Sequence, residues 1–295
     1  MTEKELFTVV GVRPEPTAPK KKVSRLKGVP WVSVVLMGAI VLCCMAAEVL
    51  MTKDPGYLDL KNFNAAPNAE FPFGTDTLGR DIFSGIWYGG RISITIGFLA
   101  TLISTFIAVV YGSISGIAPQ WLDTMMMRFT EIFLSVPGLL LVLFLQAILG
   151  DANVLTLSIV IGVTGWAGIA KVIRTEVRQI RSSEYVVASK CMGGGFFHIL
   201  RRHLAPNFIA SIMFMVVMNV RGAIGAESTL SFMGMGLPLE IISWGSMLSL
   251  AEKALLTDSW WIILIPGGFL VTLLMCLTNI GNYLRKCANR KESNL

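Results

Sequence analysis

Six apolar windows (31–51, 92–114, 132–149, 154–170, 208–229 and 260–281) divide this 295-residue chain into long hydrophobic runs separated by shorter polar ones. A helix needs roughly 20 apolar residues to cross the hydrocarbon core, where every backbone polar group must be satisfied within the segment itself. The windows approach or exceed that length, so the chain reads as an all-α integral membrane protein with six transmembrane helices. Charge supports the reading, because only 15% of the residues are charged, against about a quarter in a soluble domain. The third and fourth windows are short and joined only by residues 150–153, which predicts a tight helical hairpin. The first window follows a polar stretch and has no small-residue cleavage site after it, so it reads as a span and not as a signal peptide.

Orientation follows from the basic residues. Seven lysines and arginines precede the first window, seven more lie within 171–202, and Arg128 lies between the second and third windows. Arg285, Lys286, Arg290 and Lys291 follow the last window, which brings this side to nineteen. The other side holds five: Lys53, Lys61, Arg80, Arg91 and Lys253. Cytoplasmic loops carry the excess of Lys and Arg, so both termini and the loop 171–207 are expected in the cytoplasm. The organisation is then a cytoplasmic tail (1–30), a first transmembrane helix (31–51), an extracytoplasmic segment (52–91), a body (92–285) containing the loop 171–207, and a cytoplasmic tail (286–295). The net charge of +6 is a topology signal, and no aromatic-interleaved basic patch accompanies it, so no nucleic-acid partner is expected. The surroundings are membrane lipid. Cys43, Cys44 and Cys276 fall in windows while Cys191 and Cys287 fall on the reducing side, so no structural disulfide is expected.

The chemistry for a self-powered machine is missing from the sequence. It contains no G-x-x-x-x-G-K-[ST] phosphate loop, no H-E-x-x-H, no C-x-x-C and no G-x-S-x-G. His198 and His203 are five apart, which places them on different faces of a helix, so neither a metal nor another cofactor is expected, and no residue is read as catalytic. A proton- or sodium-driven carrier buries carboxylates at mid-membrane depth, whereas Glu48 and Glu227 sit near the outer ends of their windows. Arg221 is the one deep charge. Either it lines a pathway and faces an anionic group, or it snorkels or pairs with a neighbouring helix. The alternative of a self-sufficient secondary transporter or channel would need paired carboxylates or broken helices at mid-membrane, and the sequence offers little of either.

An energy source must therefore dock from outside, on a surface that is cytoplasmic, basic and stiff. "EYVVASKCMGGGFFHILRRHLAPN" (184–207) has that character. Ser182 or Ser183 can cap a short helix running to Cys191, with Glu184 in its first turn, where a carboxylate suits the helix dipole. Gly193 to Gly195 end that helix and permit a sharp turn, and a second short helix stops before Pro206.

Glu184-Tyr-Val, Ala188, Gly193 and Pro206-Asn207 resemble the EAA loop of permease subunits of bacterial ATP-binding-cassette importers. "FPFGTDTLGRDIFSGIWYGGRISITIGF" (71–98) is similar to the Gly-Thr-Asp-x-x-Gly-Arg-Asp signature of the second permease of dipeptide, oligopeptide and nickel importers. "EIFLSVPGLLL" (131–141), "ESTLSFMGMGLP" (227–238) and "SWGSML" (243–248) match later segments of those subunits in family order. The resemblance implies the type I importer permease fold in the bacterial cytoplasmic membrane. It implies coupling to ATPases through Glu184, Tyr185, Ala188, Ser189 and Gly193, with Arg221 and Glu227 as candidate pathway residues. The implied partners are a second homologous permease, two cytoplasmic ATP-binding-cassette ATPases and an extracytoplasmic solute-binding protein. Val187 and Ser189 replace the usual glutamate and second alanine of the loop, and the C-terminal "NIGNYLRKCANR" lacks the acidic residues often found there. Dipeptides, longer peptides, nickel chelates and glycosides are all carried by similar subunits.

Overall fold

A computed structural model describes residues 28–181, 189, 191–193, 195, 198, 205–250, 254 and 258–292. These residues form helices α1 (Trp31–Met45), α2 (Ala47–Leu50), α3 (Ile82–Ile117), α4 (Gln120–Ser135), α5 (Gly138–Leu149), α6 (Val154–Thr164), α7 (Ala167–Ile180), α8 (Ala205–Phe232), α9 (Trp244–Leu248) and α10 (Trp261–Glu292). The protein is all-helical. Among the described residues the one piece of β pairing is an isolated bridge between Thr75 and Asp81.

At the centre lies α3, a 36-residue helix about 54 Å long at 1.5 Å per residue. It starts ten residues before the apolar window because the Asp81 side chain caps it, accepting from the backbone N–H groups of Phe83 and Ser84 at 3.3 and 3.1 Å. Its inward positions are small: Gly89, Gly90, Ser93, Gly97, Ala100, Ser104, Ala108, Gly112 and Gly116 are all buried. Small residues allow backbones to approach closely where lipid removes the ordinary hydrophobic drive for association. At Gly112 a Cβ would stand 2.6 Å from the Ala170 carbonyl oxygen, and at Gly116 it would stand 2.6 Å from a Val177 methyl carbon. Around this axis pack α7, α6, α8 and α1, while α10 lies against α8, α1 and α9.

Two windows prove to be broken helices. The window 132–149 divides at Val136–Pro137, where α4 and α5 meet at 89°. Proline has no N–H to donate back into α4, and the residue before it is pushed to extended backbone; Val136 has φ −85° and ψ 130°. The window 154–170 divides at Gly165–Trp166, with a 47° bend, and the second half continues to Ile180. Little in the residue pattern signals broken helices; the described residues contain two. Between them, α5 and α6 form the expected hairpin, with Gly150 at φ +80° and the Gln146 amide donating to its carbonyl at 2.9 Å.

By length and composition, Ile82–Ile117 and Trp261–Cys287 can each cross a membrane among the described residues, and up to four spans result if each bent pair counts as one. The window 31–51 is a 15-residue helix followed by the four-residue α2, and 208–229 lies inside the 28-residue α8.

Candidate functional site

Four features gather the polar side chains that sit among these apolar helices. The first is the turn before α3. Asp76 and Arg80 are both under a tenth exposed and form an ion pair at 2.8 Å, while Arg80 Nη1 donates to the Leu239 carbonyl at 2.8 Å. The backbone N–H groups of Leu78 and Arg80 also donate to Asp76 Oδ1, each at 2.8 Å. Gly79 has φ +76°, and a Cβ there would fall on the Asp59 carbonyl, so only glycine fits this turn. Trp261 Nε1 donates to the Thr75 carbonyl at 3.1 Å. The motif therefore staples the segment after α8 and the start of α10 to the start of α3.

The second feature is Glu227 on α8, with no exposed surface. Its Oε1 accepts from the hydroxyls of Ser243 at 2.7 Å and Ser231 at 3.0 Å, and its Oε2 from Ser93 at 3.0 Å and Ser228 at 3.3 Å. Three elements meet at this carboxyl group: α3 through Ser93, α8, and the N-cap of α9 through Ser243. The Trp244 N–H donates to Ser93 Oγ at 3.2 Å and its indole N–H to the Ile86 carbonyl at 2.9 Å, which completes the junction.

The third feature is a pair of clefts on α8. One, of about 430 Å³, lies between α5, α6 and α8, where Leu139, Thr164, Gly165, Asn219, Gly222 and Ala226 are among its lining residues. The other, of about 460 Å³, lies between α8 and α10, with Arg221 facing Val271, Leu274, Met275, Thr278 and Asn279. Arg221 is exposed, and among the described residues no carboxylate forms an ion pair with it. Arg221 and Glu227 do not share a setting: one faces an open cleft, the other is enclosed.

The fourth feature lies at the opposite end of α3 and escaped the sequence reading. Asp123, 3% exposed, receives Arg174 Nε and Nη2 at 2.5 Å each, Arg178 Nη1 at 3.2 Å and the Ser115 hydroxyl at 2.7 Å. Arg181 Nη1 donates to the Gly116 carbonyl at 3.1 Å. One signal could have found it: Arg174 and Arg178 are four apart, on one face of α7, and so present a paired cation to any single acid opposite. Around Glu227 only Ser231, four residues on, is signalled by spacing; Ser93 and Ser243 come from distant segments.

Of the loop residues read as coupling residues, Glu184, Tyr185 and Ala188 lie outside the described residues. Ser189 is buried, and Gly193 is exposed with φ +83°. No group of three or more metal-binding side chains occurs among the described residues, and the five cysteines are free thiols.

Residues 108–286 match the family described as binding-protein-dependent transport system inner membrane component. The chain is 38% identical over 228 residues to the dipeptide transport system permease protein DppC of Bacillus subtilis, covering 77% of this chain and 71% of that one. It is 35% identical over 260 residues to the oligopeptide transport system permease protein OppC of the same organism, covering 88% and 85%. The OppC protein of Haemophilus influenzae is 35% identical over 236 residues, covering 79% and 75%.

The buried Asp76–Arg80 pair gives a direct stability test. Arg80→Met should lower the unfolding free energy of the detergent-purified protein by about 3–5 kcal/mol, because it strands a buried carboxylate. Adding Asp76→Asn should recover part of that loss, as expected for two groups in direct contact. Equal and additive losses in a double-mutant cycle of thermal unfolding would show that the staple does not depend on the pair.

Proposed function

Because the chain belongs to the family of inner membrane components of binding-protein-dependent transport systems, we propose that it carries peptides across the membrane as one of two paired permeases. It is a transmembrane permease subunit of an ATP-driven importer of the bacterial inner membrane. Such a subunit works with an ATPase and a substrate-binding protein. The observation that carries the peptide assignment is the match to DppC and OppC proteins over 77% and 88% of this chain. In this reading a second homologous permease completes the pathway and two cytoplasmic ATP-binding-cassette ATPases drive it. An extracytoplasmic solute-binding protein delivers the peptide. The two helix breaks are a feature that a self-contained carrier would also have, but membership of a binding-protein-dependent family favours the multi-subunit importer.

The proposed topology has six spans, with both termini and 171–207 in the cytoplasm. Nineteen basic residues on that side against five on the other support it. The proposed contact with the ATPases is the loop carrying Glu184, Tyr185, Ala188, Ser189 and Gly193. The proposed pathway follows the clefts on α8. There Arg221 meets the C-terminal carboxylate of a peptide, while Glu227 acts from behind the wall by holding the start of α9.

Three experiments test these assignments. A cysteine at Ser183, in a cysteine-free background, should react with a membrane-impermeant thiol reagent only after the cells are broken; labelling in intact cells overturns the topology. Gly193→Val should abolish peptide uptake while ATP hydrolysis by the assembled transporter continues. A β-branched side chain at φ +83° is strained by about 1–3 kcal/mol, and relieving the strain swings the turn away from its partner. Wild-type uptake in that variant, with the ATPases still co-purifying, removes the loop from the mechanism. Arg221→Gln should reduce uptake of peptides with a free C-terminus by roughly ten- to a hundredfold, the scale of a lost charge-assisted hydrogen bond, and spare C-terminally amidated peptides. Equal uptake of both peptide classes would place Arg221 outside the pathway.

A further inference from the structure

Among the described residues Asp123 is the one carboxylate that is ion-paired with two arginines. Three helices meet at it. Ser115 is on the last turns of α3, Arg174 and Arg178 are on the last turns of α7, and Asp123 itself is in the first turn of α4. The Arg174 contact is bidentate, a geometry that fixes both planes and resists sliding. Beside it, Gly112 and Gly116 bring α3 and α7 close enough to exclude a Cβ, and Arg181 adds a bond to the Gly116 carbonyl. The end of α7 and the end of α3 therefore form one body, and Asp123 is the group that ties α4 to it.

The two ends of this body lead to different places. In sequence, α7 runs directly into the loop assigned to the ATPase contact. From Asp123, α4 extends twelve residues to Ser135, about 18 Å at 1.5 Å per residue. It then turns by 89° at Val136–Pro137 into α5, whose first residues, Gly138 and Leu139, line the cleft shared with α6 and α8. The face of α4 away from Asp123 carries Trp121, Met125, Phe129 and Ile132, all exposed, so within this chain α4 is held mainly by its Asp123 and Thr130 side. A displacement at the end of α7 is thus handed to α4 through a stiff ionic joint and delivered to the cleft wall.

We propose that Asp123 is the positioning residue that transmits movement of the loop after α7 to the cleft wall, with α4 as the lever. This rests on reading that loop as the ATPase contact. A merely structural staple would lower hydrolysis and uptake together; a transmitting joint changes their ratio.

The test uses the complete transporter, reconstituted in liposomes with its ATPases and binding protein, and measures peptide taken up per ATP hydrolysed. Asp123→Asn keeps the shape and the acceptor for Ser115 but removes the charge that holds two arginines. It should lower the ratio by roughly threefold to thirtyfold with hydrolysis retained, and Asp123→Glu should restore much of it. If Asp123→Asn fails to assemble, Arg178→Gln removes only the outer ion pair and should lower the ratio in the same direction. An unchanged ratio in an assembled Asp123→Asn or Arg178→Gln transporter overturns the proposal, as does a parallel fall of hydrolysis and uptake. Gly193→Val, measured alongside, separates two failures. If it uncouples while the Asp123 and Arg178 variants do not, only the lever is wrong; if it too leaves the ratio unchanged, the loop assignment falls and the lever with it.

Discussion

Glycine, alanine and serine fill 13 of the 17 buried positions of α3, and the close packing of α7 and α6 against it follows from that. Lipid tails are as apolar as leucine, so helices in a membrane gain little from burying hydrocarbon against each other; they gain from close van der Waals packing. With a Cβ at Gly112 only 2.6 Å from the Ala170 carbonyl, α7 could not sit where it does, nor could Arg174 reach Asp123 across from Ser115. The polar junctions thus depend on the small-residue face: the short serine side chains Ser93 and Ser115 reach carboxylates on other helices at 3.0 and 2.7 Å because the backbones lie near.

Those junctions differ at the two ends of α3. Ser93 and Ser115 are 22 residues apart, about 33 Å along a helix, which is close to the roughly 30 Å thickness of a hydrocarbon core. At the Ser93 end the carboxyl of Glu227 is surrounded by neutral hydroxyls; at the Ser115 end the carboxylate of Asp123 is gripped by two guanidiniums. Hydroxyl donors rotate, and each can exchange its acceptor for a nearby carbonyl at small cost. A bidentate guanidinium pair is directional and strong. The two ends of the same pillar therefore have different stiffness, with the firmer joint on the side where α7 leads to the loop.

Much of this was legible in the residues. The apolar windows anticipated α3, α8 and α10, while the Gly-Thr-Asp-x-x-Gly-Arg-Asp motif stood out only as a signature, and the structure shows it to be a turn built by Gly79, Asp76 and Arg80. Gly193 was expected to turn the chain and has φ +83°. The breaks were harder to see. Hydropathy averages across Val136–Pro137 and Gly165–Trp166 because both halves of each bent pair are apolar at the junction, so a window long enough to detect a span is too long to detect its fracture. The Asp123 cluster was hidden for another reason. Its members lie 51 and 55 residues apart in sequence, and the arginines had already been counted as a charge asymmetry, which explained them without requiring a partner.

The breaks and the clefts belong together. A continuous helix satisfies its own backbone, but a fracture at membrane depth frees N–H and carbonyl groups, and these are tolerated only where they are buried in protein or face a water-filled cavity. Both fractures border the same space: Gly138 and Leu139 follow the first, and Thr164 and Gly165 stand at the second, all lining the cleft between α5, α6 and α8. Asn219 approaches from α8 and is held by the Ser104 hydroxyl of α3. The continuous helices α3, α8 and α10 thus make a frame, and both bent pairs present their breaks to the one cleft beside it.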